Sequence, residues 1–247
     1  HNPDTNDTGS RLYMGGQVIV ANGANPGDGE TIELAGQELE GPEEDTLRVV
    51  DLTQDPPTLL DEIPHGPGHS VDWFRIAASG REYVLHANEI GAGDTCVPHP
   101  RPSSLGWAFE AFITEVTGDT LSRTSMVELA INKPENCQSS NQHPAISQAL
   151  IDNPKDATFA TINWGDAGLR MFDIRNPENP VEVAYFNRGT LVHSGLSHFD
   201  ASRGLLYVPT SDKFRIVEVQ PQVYDALGLP HPPPPYPRYP TGRAATP

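Results

Sequence analysis

Residues 168–186 read GLRMFDIRNPENPVEVAYF. Two β-rich runs, Leu169 to Ile174 and Val181 to Phe186, flank the turn Asn176-Pro177-Glu178-Asn179-Pro180. Each proline there fixes φ and lacks a backbone donor, so the strands must break and a hairpin forms. The first run has two weaker copies, Leu47-Arg48-Val49-Val50-Asp51-Leu52 before it and Phe214-Arg215-Ile216-Val217-Glu218-Val219 after it. An apolar residue, Arg, two apolar residues and an acid recur in all three, which predicts a repeat protein.

The strands LRVVD, LRMFD and FRIVE and the phrase DIRNPENPVEVAYF resemble the LVIVD-repeat family of β-propeller proteins, over roughly residues 17–220. The resemblance implies an all-β, propeller-like fold and little about function, because fold does not supply function. The segments QVIVAN, YVLHAN, FATINW and LLYVPT take equivalent places ahead of each motif strand or its counterpart. That gives four units of about fifty residues, the size of a four-stranded blade. Relatives are longer, so this chain is expected to be the C-terminal part of a larger propeller, with further blades outside it or supplied by another chain. Ring closure would remove open sheet edges. The chain divides into blades over 1–220 and a proline-rich tail over 221–247. The first residues, 1–16, are polar, and an acidic insertion follows over 22–46. That insertion lacks the order of a calcium loop, so calcium there is a weak expectation.

Gly and Pro number 22 and 25, which favours many short strands over long helices. No apolar run approaches the roughly 20 residues that span a membrane as a helix. The net charge is −17, with 33 acids against 16 Lys and Arg. Such a surface repels phosphate backbones, so nucleic acid is not the expected partner. It attracts cations and keeps a protein soluble; a saline or calcium-rich setting outside the cell is the sharper reading.

Two cysteines, Cys96 and Cys137, sit in Pro-rich stretches and in no Cys-x-x-Cys pair. Loop cysteines in secreted relatives, as the resemblance implies, and the even count favour a bridge between them over two separate thiols. Such a bridge would stabilise by about 4 kcal/mol on the chain-entropy view. The expected location is extracellular or periplasmic. The chain starts at His1 rather than Met, which reads as processed or truncated.

The sequence holds no Gly-x-Ser-x-Gly elbow, Walker loop, dinucleotide fingerprint or His-Glu-x-x-His. Its histidines do fall in step with the repeat. His1, His69 and His143 precede Asn22, Asn88 and Asn163 by 21, 19 and 20 residues, and His193 precedes Thr210 by 17. In a propeller the first strand of each blade lines the channel, so these four imidazoles would approach one mouth. Imidazole suits copper or zinc, and a transition metal held by His1, His69, His143 and His193 is one expectation. Histidines that bond backbone carbonyls or water across the channel are the other. His86 and His198 are spare candidates, and Asp72 could fix the tautomer of His69.

Three readings of function follow. One is a secreted binding or assembly module without established catalysis. A second is a copper-type oxidase or a hydrolase using the histidine cluster. A third is a structural subunit of an extracellular fibre or surface layer. The expected partners are other protein chains, meeting open blade edges or the tail. Four successive prolines stiffen that tail into an extended helix, for which Tyr236 and Tyr239 are candidate anchors.

Overall fold

The computed structural model describes residues 3–15, 32–34, 37–39, 46–64, 68–88, 111–127, 129, 146–164, 168–187, 197–210 and 213–232. They form an all-β molecule of antiparallel sheets with one short helix. The first sheet runs β1 (Asp4–Thr5), β2 (Arg11–Gly15), β5 (Thr46–Asp51), β6 (Thr58–Pro64). A separate two-stranded hairpin, β3 (Ile32–Leu34) with β4 (Gln37–Leu39), lies in the acidic insertion. The second sheet holds β7 (Gly68–Ile76), β8 (Arg81–Asn88), β9 (Ala111–Thr117) and β10 (Thr120–Val127) in chain order. The third holds β11 (Ile146–Ile151), β12 (Phe159–Trp164), β13 (Gly168–Asp173) and β14 (Val181–Phe186). The fourth has three strands among the described residues: β15 (His198–Asp200), β16 (Leu205–Pro209) and β17 (Phe214–Glu218).

The sheets stack face to face through three apolar layers. Tyr13, Leu47 and Val49 of the first meet Val71, Trp73, Val84, Val116 and Leu121 of the second. Phe74, Tyr83, Leu85 and Ile113 meet Ile151, Ile162, Trp164 and Phe172 of the third. Phe159, Leu169 and Met171 meet Phe199, Leu206 and Val208 of the fourth. The interior β12, Phe-Ala-Thr-Ile-Asn-Trp, is buried along its whole length because it has a sheet on either side. First strands approach one another, β7 beside β1 and β11, while the outer strands β6 and β10 meet at the other rim. This is the radial order of propeller blades, in an arc that the described residues do not close.

The motif strands LRVVD, LRMFD and FRIVE are β5, β13 and β17, each third in its sheet, as the repeat predicts. The motif has a physical basis. Its acid ends the strand: Asp51 Oδ1 accepts from Thr53 N at 2.9 Å, and Asp173 Oδ1 accepts from Arg175 N at 3.0 Å. Its arginine ties the third strand to the fourth. Arg48 Nε donates to Glu62 at 3.0 Å and Arg170 Nη1 donates to Glu182 at 2.7 Å.

Two differences from the sequence reading are instructive. The first blade's second strand is Arg11–Gly15, within the stretch read as a polar lead, where a buried Tyr13 anchors it. The segment QVIVA lies outside the described residues. Within the tail, Pro221–Leu227 form a helix, α1, that buries Val223, Tyr224 and Leu227 in the layer between the third and fourth sheets. Gly228, at φ 66°, ends it with its N–H on the carbonyls of Tyr224 and Asp225. Tyr236 and Tyr239 lie outside the described residues.

Candidate functional site

Strand β7 is the inner edge of the second sheet, so one side of its backbone has no neighbouring strand. Side chains and a turn close it. Trp73 N donates to Asp4 Oδ2 at 2.7 Å, Arg75 N to the Pro154 carbonyl at 2.8 Å, and Ala157 N to the Arg75 carbonyl at 2.9 Å. Asp72 sits between these contacts, opposite Leu85 and on the face that meets the third sheet. The residue is partly exposed, but its Oδ2 is shut off from solvent and makes no hydrogen bond among the described residues. Burial, and then the nearby Asp4 carboxylate, push its pKa up to about 8.

On the opposite face lies His86, paired across strands with Val71 and Phe112 and wholly buried. Burial pushes the imidazole down to about 3, so it is neutral at pH 7. Gly15 of β2 packs directly on this ring. A methyl group added there would lie 2.6 Å from His86 Nε2 and 3.0 Å from Val71 Cγ2. Only glycine lets the first sheet approach so closely. Asp72 and His86 therefore face away from each other across one sheet and form no acid–base pair.

Of the histidines in step with the repeat, the structure describes the backbone of one. His69 lies in β7 where the pairing slips from Gly68 opposite Asn88 to Ser70 opposite Ala87. That bulge re-aims the strand locally. The third sheet has the same slip between Ile146 and Gln148, so Ser147 is the backbone counterpart of His69. His1, His143 and His193 lie outside the described residues, as do Cys96 and Cys137. Strands β1, β11 and β15 open at Asp4, Ile146 and His198, within a few residues after those three histidines. Among the described residues, no group of three or more His, Cys, Asp or Glu could hold a metal ion.

A different feature stands out on the fourth sheet. Phe214 and Ile216 of β17 occupy the places of Leu47 and Val49 in β5 and of Leu169 and Met171 in β13. Those counterparts are buried against the next sheet along. Phe214 and Ile216 are instead 62% and 60% exposed. They join a row of stacked rings, with His198 to Tyr207 at 6.2 Å and Tyr207 to Phe214 at 6.1 Å between centroids. The strand pairing puts Tyr207 opposite both His198 and Ile216, so all four share one face. The signal was present in the sequence as a third copy of the motif, Phe214 to Val219. Compared with known proteins, the chain matches no family model and no curated protein.

Proposed function

We propose that this chain is a secreted or periplasmic binding and assembly module that engages other protein chains through the outward face of its fourth sheet. The observation that carries the reading is the exposure of Phe214 and Ile216 at positions that elsewhere in the molecule form blade-to-blade contacts. An exposed apolar row of this kind is where soluble proteins meet partners. The strongly acidic remainder of the surface keeps the free chain in solution.

The test is sedimentation velocity over a range of protein concentrations. The native chain should associate reversibly. A Phe214→Ser, Ile216→Ser variant with an unchanged circular dichroism spectrum should associate at least about tenfold more weakly, because exposed anchors of this kind dominate contacts. Identical sedimentation of the two proteins would contradict the reading.

A second reading, a copper- or zinc-dependent centre on His1, His69, His143 and His193, is favoured by one observation. The bulge in β7 falls at His69, and bulges re-aim side chains at functional sites. Elemental analysis of the purified chain should then find about one transition metal per chain, lost from a folded His69→Ala, His143→Ala variant. Metal-free native protein that also fails to take up added copper or zinc would end this second reading.

A further inference from the structure

Among the described residues the fourth sheet has no sheet facing its outward side, and it also ends one strand early. Its hydrogen-bond register shows which backbone groups are left at the edge. Val219 N donates to the Gly204 carbonyl and Thr210 N to the Lys213 carbonyl. Those pairs bracket the β16–β17 ladder, so Arg215 and Val217 direct their N–H and C=O groups to β16. Phe214, Ile216 and Glu218 direct theirs outward. After Glu218 the chain turns into α1, which packs against β14 instead of returning along this edge.

The molecule shows twice what belongs there. In the first and third sheets an antiparallel fourth strand covers the motif strand, and an acid on it meets the motif arginine: Glu62 with Arg48, Glu182 with Arg170. Arg215 holds the same motif position in β17. We infer that β17 accepts a fourth strand from another protein chain, antiparallel, apolar at alternate positions and carrying Glu or Asp within reach of Arg215. Main-chain hydrogen bonds hold such a strand, and the arginine selects its charge. This rests on the reading of the chain as a binding module, but it uses the edge of the sheet rather than its face.

The probe is a fluorescent peptide with the sequence of residues 179–187, Asn-Pro-Val-Glu-Val-Ala-Tyr-Phe-Asn, the molecule's own fourth strand of the third sheet. Titrated against the full chain, it should bind saturably. Amide exchange at Ile216 and Glu218 should slow on binding. A peptide with Glu182→Lys should bind several-fold more weakly. Glu218→Pro removes one outward donor while sparing the β16 ladder and the side chains of Phe214 and Ile216, and it should weaken binding about tenfold. A backbone N-methylated peptide should fail likewise, which decides the matter even if Glu218→Pro does not fold. Phe214→Ser should leave peptide binding in place while weakening face association. Absent binding by the native peptide, or equal binding by the N-methylated one, overturns strand addition. The sedimentation result then stands or falls separately.

Discussion

Replacing Trp73 with alanine should cost about 3–5 kcal/mol of folding stability, the range for emptying a site filled by a large buried aromatic. Trp73 is one of the largest fully buried side chains and lies in the layer between the first two sheets. Its indole Nε1 donates to Glu82 at 3.2 Å, and the Arg75 guanidinium lies 5.4 Å above the ring. Its own backbone N–H is the group that Asp4 closes. One substitution thus opens a cavity, leaves Glu82 short of a donor and loosens the layer that seats the first sheet. Chemical denaturation should show the midpoint falling. A loss below about 1 kcal/mol would mean that the two sheets do not pack as described.

Asp72→Asn should be strongly stabilising at alkaline pH and close to neutral in acid. The folded state holds the Asp72 carboxyl at about 8 against 3.8 when unfolded, so folding favours its protonated form. The associated stability is fully present below pH 3.8 and is lost as pH rises through 8. His86 runs the other way. Its folded value of about 3 lies below 6.5, so its contribution is complete above pH 6.5 and is lost as pH falls toward 3. The two oppose each other between about pH 4 and 6.5, and above that only Asp72 of the pair still contributes a slope. An ionised carboxylate with an enclosed oxygen carries a penalty of several kcal/mol, which asparagine does not meet. Thermal melts at pH 9 should therefore rise in Asp72→Asn relative to the native chain, with the gain shrinking toward pH 4. A gain independent of pH would show that Asp72 is solvated.

The motif strands were legible because their chemistry is local. In β5 and β13 an acid that closes an Asx turn two residues on, and an arginine that reaches a glutamate on the next strand, leave the same residues in the same places. The second strands YVLHAN, FATINW and LLYVP were legible as apolar runs. Strands β1 and β2 were not, because a five-residue strand with one buried anchor, Tyr13, has too little pattern to separate it from a polar lead. The helix α1 did carry end signals, Pro221 at its first turn and Gly228 past its end, which the low-complexity tail obscured.

The site was less legible than the fold. Equal spacing aligned His69 with His143, whereas the backbone bulges align His69 with Ser147, since spacing in sequence does not count a slip in pairing. The protonation of Asp72 and His86 depends on which sheet covers each face, and no local pattern encodes that. The exposure of Phe214 and Ile216 likewise follows from what fails to come next among the described residues. A strand that reads as buried by its composition is left facing water.

Amide hydrogen exchange along β17 tests most directly the central claim, that β17, the last strand of the fourth sheet among the described residues, is an open edge. At a concentration where the chain is monomeric, the amides of Arg215 and Val217 should be protected by the β16 ladder. Those of Ile216 and Glu218 should exchange at close to the rate of an exposed amide. Protection of Ile216 and Glu218 equal to that of their neighbours would mean that this edge is already paired within the free chain, and strand addition would lose its ground.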